Sequence, residues 1–514
     1  MTTESRSPRT WIGPLFQASP AAFLRAAIWS FVVLLVSTTL ADPDLWGHLR
    51  FGLDLLETGA LHTSDPYSFT ADRPWVNHEW LAELLMGIAY TWLGPLGLGL
   101  LKAGTVTVVA IVLFKAAREA NAQPFARDLF VAVAVFVSYS RTQVVRPQLF
   151  SVAIFCVMLH LLRTSDRGSR TALWGVPICF AVWANMHGGW IVGLAVLAVW
   201  MAGDLVRSWS TARFATLAAI GLLSIAATLV NPYGVGLWQF IATTVRPERP
   251  DITDWLPLLA LPRSVLVIEA ILPAIALAAA FRRTADGQSR AWRGVQLRDA
   301  AVLGLLLAAT LRVGRVDAFL QCAIAMLLAS PIVALLNAID VNMRATFRRP
   351  SFAVGVLTAA FAAYTGVMAF ANLRVIRVEG RWIPDRSAAM LLRDARPGAR
   401  VLTWFDWGEY ALWQLSPAGI RVSMDGRRET VYSAQVTSDH RRFYAGQPDM
   451  IDYPDRIGAD HVWLPSHLPM IEPLMRNGWT KVLDTGKSIV LARRGPPIAV
   501  RSEPDGVDRL FPWP

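Results

Sequence analysis

The sequence has few charged residues and few cysteines, and both shortages limit the classes of protein to which it can belong. Only 17% of its 514 residues are charged, whereas 54% are hydrophobic. Such a chain is too apolar and too long for one soluble core. The three cysteines, Cys156, Cys179 and Cys322, lie in apolar runs without metal-ligand spacing, so they support neither a disulfide framework nor a thiolate metal site. We therefore expect a polytopic membrane protein.

Motifs for nucleotides and nucleic acids are also missing. The chain has no Gly-x-Gly-x-x-Gly turn or phosphate loop in its soluble part, and no repeat of fixed period. Its formal net charge of +11 does not indicate nucleic acid, because the arginines cluster in short segments between hydrophobic runs, as cytoplasmic loops do. We expect membrane lipids, and no nucleic acid, as partners.

The hydrophobic runs predict an α-helical protein with about eleven transmembrane helices. The runs are 24–41, 97–117, 128–140, 147–162, 172–186, 187–205, 213–230, 264–281, 298–313, 316–338 and 351–373. Residues 80–93 are apolar but short, so we expect a helix that lies at the membrane interface. Asp42 and Pro43 follow the first run directly, which favours a retained span over a signal peptide.

The basic segments predict sidedness. If residues 80–93 do not cross the membrane, all the arginine-rich loops lie on the same side of it. The positive-inside rule identifies that side as cytoplasmic. The N-terminus is then cytoplasmic, and the C-terminal part lies outside a bacterial inner membrane. We predict a multispan region 1–373 with its first outer loop at 41–96, a small extracytoplasmic α/β domain at 374–494, and a loosely ordered tail at 495–514.

The predicted outer side carries a dense set of polar residues. Arg141 and Arg146 break the inside preference for basic residues, and an anionic ligand would explain them, because arginine pairs bidentately with phosphate. The full set comprises Asp42, Asp44, His48, Arg50, His78, Glu79, Arg141, Arg146, Gln148, Asn185, His187, Asn231, Tyr233, Arg246, Arg249, Asp251, Asp254, Arg312 and Arg315.

Structural roles are open for several of these residues. Asp42 and Pro43 could end the first span, and Asp44 could cap the helix that follows. The outer arginines could bind ordinary lipid headgroups. Glu269 and His160 could be polar residues of the helix bundle or mark a transport pathway. Strand ends at 406–408 and 425–427 could present an acceptor-binding edge or be simple turns.

The order of these features resembles the GT-C glycosyltransferases, which include lipid-linked aminoarabinose and protein mannosyl transferases. Asp44 follows the first span, as that family's first-loop acidic residue does. Residues 46–57 and 80–93 are similar to its two juxtamembrane helices, and the soluble C-terminal domain is similar to that of several bacterial members. Many relatives have a second acidic residue after the third span, where this chain has Arg141, Arg146 and Gln148.

The resemblance implies transfer of a sugar from a polyprenyl-phosphate donor to an extracytoplasmic glycan, lipid or protein acceptor, with inversion. Asp44 would act as base, with Asp42 as its substitute. The donor phosphate would bind Arg141, Arg146, Arg312 and Arg315. The sugar or the acceptor would contact His48, Arg50, His78, Glu79, Asn185 and His187.

Two other questions are open from the sequence. His48, His78 and His187 could together hold a divalent metal, but none shows a short ligand spacing, so we assign no metal and expect hydrogen bonding instead. The function could also be that of a transporter or flippase of lipid-linked saccharides, or of a non-enzymatic envelope protein that binds polysaccharide. The lack of paired halves, which many transporters have, favours the enzyme.

Overall fold

Helices dominate the fold. The computed structural model describes residues 17–244, 255–281, 295–346, 350–380, 383–493 and 510–512, and 68% of these described residues are helical. The predicted loop residues Arg246, Arg249, Asp251 and Asp254 lie outside the described residues. The first helix, α1 (Pro20–Ser37), begins where the Ser19 hydroxyl accepts a hydrogen bond from the Ala22 amide, with proline at its first position.

Two short helices follow α1 and match the predicted juxtamembrane pair. They are α2 (Leu45–Thr58) and α3 (Trp80–Leu93). Gly52 and Gly87 let them pack backbone to backbone: a Cβ on Gly52 would lie 2.0 Å from the Glu83 carbonyl oxygen. This close approach fixes the polar residues of α2 against those at the start of α3.

Most of the remaining helices of the apolar part overlap predicted spans, but the helix at 235–244 matches none, and the predicted spans 264–281 and 316–338 are each divided between two helices. Among the described residues, five helices are long and apolar enough to cross a membrane, α1, α4, α7, α9 and α17, or six if the pair bent by 67° at residue 328 is one span. The count of eleven stays a prediction. The helices are α4 (Pro95–Glu119), α5 (Pro124–Val137), α6 (Tyr139–Thr142), α7 (Pro147–Asp166), α8 (Gly175–Met186), α9 (Trp190–Arg207), α10 (Thr211–Ala227), α11 (Val235–Thr244), α12 (Arg263–Glu269), α13 (Ile271–Phe281), α14 (Leu297–Arg312), α15 (Asp317–Leu327), α16 (Ala329–Thr346) and α17 (Phe352–Leu373).

A two-stranded parallel sheet joins the first and last of these helices. Strand β1 (Thr39–Ala41) leaves α1 and pairs with β2 (Ile376–Val378), which follows α17. The opposite edge of β1 pairs with the segment before α7, where the Leu40 amide donates to the Gln143 carbonyl at 2.9 Å. Because the two segments run parallel, the residues after β1 lie beside those that precede α7.

Residues 383–493 form an α/β region. A five-stranded mixed sheet has the order β4-β3-β5-β7-β6, with β3 parallel to β4 and β5, and β7 antiparallel to β5 and β6. The strands are β3 (Arg400–Thr403), β4 (Arg421–Val422), β5 (His461–Pro465), β6 (Thr480–Asp484) and β7 (Ser488–Ala492), and the helices are α18 (Arg386–Arg393), α19 (Gly408–Leu415), α20 (Ala434–Tyr444), α21 (Tyr453–Arg456) and α22 (Ile471–Arg476).

The first loop extends this sheet. Residues Tyr67 to Phe69 pair with β4, with the Phe69 amide donating to the Val422 carbonyl and the Val422 amide donating to the Tyr67 carbonyl, both at 3.0 Å. Residues 510–512 also dock: Phe511 is buried, and the Trp46 indole donates to the Pro512 carbonyl at 2.7 Å. This packed end differs from the loosely ordered tail expected from the sequence, while residues 494–509 and 513–514 lie outside the described residues.

Candidate active site at the junction of the helices and the α/β region

One cavity of about 760 Å³ lies where the first loop, the membrane helices and the α/β region meet. It is lined by eight of the twelve residues to which the sequence assigned a catalytic or binding role. These are Asp44, His48, His78, Glu79, Arg146, His187, Arg312 and Arg315. Asp42, Arg50, Arg141 and Asn185 do not line it.

Asp44 is held by Arg146. The β1 pairing places Asp42 and Asp44 beside Arg146, whose Nε forms an ion pair with Asp42 and whose Nη2 donates a hydrogen bond to Asp44. Asp44 occupies the N-cap position of α2, yet its carboxylate makes no capping hydrogen bond. The interpretation of Asp44 as a helix cap is therefore wrong, and Arg146 orients this carboxylate toward the cavity.

Burial and charge affect Asp44 in opposite directions. Burial raises the pKa of its carboxyl above the ordinary aspartate value, and the positive charge of His48 opposes this; Glu79 raises it further, while Arg428 and Arg315 lower it. The net effect is a raised pKa, which increases the basicity of the carboxylate.

Glu79 is surrounded by three histidines. Its Oε1 lies 3.7 Å from Nε2 of both His78 and His187, and its Oε2 lies 3.9 Å from Nδ1 of His48. Burial would raise the pKa of Glu79, but His78, His48, His187 and Arg315 together lower it. Glu79 is thus held as an anion at the centre of the cluster.

The hydrogen bonds of His187 assign its tautomer. Its Nδ1 accepts from the Gly189 amide at 3.0 Å and lies 2.8 Å from Ser151 Oγ, which itself accepts from the Trp183 indole at 2.6 Å. The proton of neutral His187 therefore sits on Nε2, which faces Glu79. Burial lowers the pKa of His187 to about 3, with Glu79 opposing this shift, so the ring stays neutral.

His48 has the opposite character. Burial disfavours its charge, but its contact with Glu83 at 2.9 Å and the charges of Glu79, Glu83 and Asp44 raise its pKa to about 10. Glu83 is fixed in turn by the Asn77 amide, which donates to Oε2 at 2.5 Å. His48 is therefore a cation within a ring of carboxylates.

The same group offers a possible metal site. Among the described residues, ligand atoms of His48, Glu79 and Glu83 lie within 4.8 Å of one another, a donor set that suits a divalent cation. The proposed set of His48, His78 and His187 fits less well, because Nε2 of His187 carries a proton. The two carboxylates and His48 are the residues that would hold a metal, and His48 would have to lose a proton to bind it.

Arg312 and Arg315 lie on the side of the cavity formed by the membrane helices. Arg312 ends α14 and is exposed. Arg315 Nη2 donates to Gln148 Oε1 at 3.2 Å, and its guanidinium carbon lies 5.1 Å from the centre of the Trp255 ring. Apolar side chains adjoin this end of the cavity, namely Ile191, Val192, Ile241, Val313, Val316 and Phe319.

Four predicted site residues make structural contacts outside the cavity. Asp42 is buried against Arg146, and Arg50 pairs with Asp54 on its own helix. Arg141 pairs with buried Asp317 at 3.1 Å. Asn185 accepts from the Trp80 indole at 2.9 Å and donates to the Val230 carbonyl at 2.7 Å.

The α/β region contributes residues that the sequence did not single out as site residues. Glu409, Arg428, Glu429 and Thr430 line the cavity, as do Gly426 and Arg427 of the strand end at 425–427 that we considered an acceptor-binding edge. Glu83, which belongs to α3, also lines the cavity and was not singled out from the sequence. Its pairing with His48 needs the α2–α3 contact.

Arg427 is fixed as a structural cation. It binds Asp65 at 2.7 Å and Asp425 at 2.6 Å, and its guanidinium carbon lies 5.0, 5.3 and 4.8 Å from the ring centres of Phe51, Tyr67 and Trp75. These ion pairs and cation–π contacts join the α/β region to the first loop beside the cavity.

The helical fold of this multi-pass membrane protein is similar to that of several solved structures. Similar solved structures include ArnT from Cupriavidus metallidurans bound to undecaprenyl phosphate, at 12% identity and a TM-score of 0.50, covering 94% of this chain and 99% of ArnT. The apo state of the same protein gives 12% identity, a TM-score of 0.52, and coverage of 92% and 98%.

A second similar protein is the arabinofuranosyltransferase AftD from Mycobacteria. Its cryo-EM structure matches at 15% identity and a TM-score of 0.51, over 93% of this chain and 40% of AftD. No protein-family model matches the sequence, and no curated protein matches it. At these identities the similarity concerns the fold, and the function has to be argued from the site.

Proposed function

We propose that the protein is an integral-membrane glycosyltransferase that moves a sugar from a polyprenyl-phosphate donor to an acceptor outside the cytoplasm. The observation that carries this proposal is the cavity itself. It combines an oriented carboxylate, arginines for an anion, and an apolar wall on the side of the membrane helices. A lipid-linked sugar phosphate needs all three.

Asp44 is the proposed base. The acceptor hydroxyl or amine attacks the anomeric carbon of the sugar, and its proton passes to the Asp44 carboxylate as the new bond forms. The bond between the anomeric carbon and the phosphate oxygen breaks, and its electron pair leaves with the lipid phosphate. A single displacement of this kind inverts the anomeric centre. Arg146 supports the step by orienting Asp44.

Arg312 and Arg315 are the proposed partners of the donor phosphate. Both lie near the apolar wall, where the phosphate would sit if the polyprenyl chain followed the membrane helices. Their charge would stabilise the departing phosphate. The bound undecaprenyl phosphate of ArnT supports a lipid of this class. Arg141 was also predicted for this role, but its guanidinium forms an ion pair with Asp317.

Glu79, His78 and His187 are the proposed contacts of the sugar. His187 presents its Nε2 proton toward Glu79, so a sugar hydroxyl could enter between a donor and an acceptor. A divalent cation held by His48, Glu79 and Glu83 is a further part of the proposal. Removal of metals by a chelator, followed by readdition, tests it by turnover and by metal analysis of the purified protein.

Arginine substitution tests the phosphate assignment. Arg315→Lys keeps the charge but loses the planar guanidinium, so we expect donor turnover to fall at least tenfold, equivalent to about 1.4 kcal/mol. Arg141→Lys is the matched control, because Arg141 lies outside the cavity, and it should leave the KM for the donor unchanged. Wild-type turnover in Arg315→Lys would remove this residue from the phosphate site.

Experiments in cells can identify the acceptor and the sugar. A deletion strain should accumulate one polyprenyl-linked sugar and lack the matching modification of an envelope glycan, lipid or protein. Mass spectrometry of lipid-linked sugars and envelope glycans compares the two strains. Unchanged pools of donors and glycans would contradict a transferase, and a donor that accumulates only on the cytoplasmic side would favour a flippase.

A further inference from the structure

Glu409 is a buried acid that the reaction described so far does not use. It lies in the first turn of α19, is only 4% exposed, and lines the cavity. Its Oε2 is buried and has no hydrogen-bond partner among the residues that the structure describes. An unpaired buried carboxylate is unfavourable, so its position beside a substrate cavity needs an explanation.

Two glycines bring Glu409 close to Asp44. A Cβ on Gly47 would lie 1.6 Å from Glu409 Oε2, so α19 can approach α2 only because residue 47 has no side chain. A Cβ on Gly426 would lie 2.8 Å from Asp44 Oδ1 and 3.0 Å from Glu409 Oε1. The two carboxyl groups, one from each part of the molecule, therefore face the same small volume next to Gly426.

The surroundings of Glu409 favour its neutral form. The charged groups that face it are Asp425 and Arg427 of the adjoining strand end, and Asp44 and His48 of the first loop. Burial raises the pKa of Glu409 well above the ordinary glutamate value, and Asp425 and Asp44 raise it further, while Arg427 and His48 oppose this. A protonated carboxyl can both donate and accept a hydrogen bond, which suits a sugar hydroxyl.

We propose that Glu409 contacts the substrate: from the α/β region it hydrogen-bonds a hydroxyl group of the saccharide that lies next to Asp44. This inference rests on the proposed glycosyltransferase function. It gives the α/β region a direct part in the site and supplies a second carboxyl that the loop before α7 lacks. The hydroxyl belongs either to the sugar of the donor or to a saccharide acceptor.

Two substitutions at residue 409 test the contact. Glu409→Leu removes the hydrogen bond, and we expect kcat/KM to fall at least tenfold. Glu409→Gln keeps a neutral group that donates and accepts, so the loss should be smaller, about threefold. The thermal midpoint of Glu409→Leu should be equal to or higher than that of the wild type, because an apolar group replaces an unpaired polar one. Glu472→Gln, on an exposed glutamate of the same region, is the control and should leave turnover unchanged.

Binding measurements identify the source of the hydroxyl. A weaker equilibrium affinity for the lipid-linked donor in Glu409→Leu places the contact on the donor sugar, whereas a raised KM for the acceptor alone places it on the acceptor. Equal kcat/KM for Glu409→Leu and an active wild type would overturn the inference while leaving the proposed function intact. A wild type that transfers no sugar from any polyprenyl-phosphate donor would instead refute the function.

Infrared spectroscopy tests the protonated state without substrate. Near pH 7 the wild type should show an absorption of a protonated carboxylic acid that Glu409→Gln lacks. This measurement stays informative if Glu409→Leu fails to fold. A difference spectrum without that band would show that Glu409 is ionised and would overturn its role as a hydrogen-bond donor.

Discussion

At the scale of single residues, the histidines of the site differ in their charge. His48 and His187 both face Glu79, yet the carboxylates around His48 hold it as a cation, while burial and the charge of Arg315 hold His187 neutral. Identical side chains thus present a positive charge in one place and a fixed N–H donor in another. Such a division is useful where a sugar and a phosphate must be bound together.

The charge of His48 predicts a pH dependence of stability. Because folding raises the pKa of His48 from 6.5 to about 10, its ion pair with Glu83 stabilises the fold in full below about pH 6.5. This contribution decreases as the pH rises and is lost above about pH 10. Thermal unfolding of the detergent-solubilised protein near pH 7 and pH 10 measures it. His48→Gln is the comparison, and an equal fall in the midpoint for both proteins would contradict the ion pair.

At the scale of elements, the α2–α3 pair carries most of the polar site. His48 comes from α2, Glu83 from α3, and Glu79 from the N-cap of α3, so their geometry depends on how closely the two helices approach. Gly52 and Gly87 allow this approach. Helix spacing is therefore as important to the site as the identity of its charged residues.

Gly52→Ala tests this dependence. Its Cβ would meet the Glu83 carbonyl at 2.0 Å, so the helices must move apart, at a cost of about 1–3 kcal/mol, and the His48–Glu83 contact should be lost. Turnover and the thermal midpoint should both fall. Gly104→Ala is the control, because nothing lies within 4 Å of its Cβ and alanine favours helix. If the two variants behave alike, close packing is not required.

The local pattern of apolar and polar residues predicted these helices well, but it did not predict all the contacts between distant parts of the chain. The apolar runs predicted helices at α1, α4 and α17, and the short amphipathic segments predicted α2 and α3. Glu409 was not predicted as a site residue, and Arg427 was considered only as part of a strand-end edge, because both reach the cavity through long-range contacts such as the pairing of Tyr67–Phe69 with β4. Arg141 was predicted to bind the donor phosphate, but it lies outside the cavity and pairs with Asp317, which is 176 residues away in sequence.

At the scale of the whole molecule, the first loop and the α/β region form one side of the cavity. Their backbones are hydrogen-bonded at Tyr67 to Phe69 and again at Asp72, whose amide donates to the Val431 carbonyl at 3.1 Å. Both parts must therefore lie on the same side of the membrane, and the arginine pattern predicts that this side is extracytoplasmic.

Cysteine accessibility tests this sidedness. Single cysteines at residues 60 and 450 should react with a membrane-impermeant thiol reagent in intact cells, whereas one at residue 168, between α7 and α8, should react only after the membrane is opened. A cysteine-free background, made by replacing the three native cysteines, is the control. Opposite labelling of residues 60 and 450 would contradict both the topology and the pairing of the first loop with β4.

The central claim is that the Asp44 carboxylate takes the proton of the attacking acceptor, and Asp44→Asn tests it most directly. The amide keeps the shape of the side chain but cannot take the proton, so purified Asp44→Asn should fold, insert and bind the lipid-linked donor, yet show no transfer above background. Asp42→Asn, whose carboxylate lies outside the cavity, should lose less. The measurement is single-turnover transfer from a radiolabelled polyprenyl-phosphate sugar in liposomes, and wild-type turnover by Asp44→Asn would contradict the account.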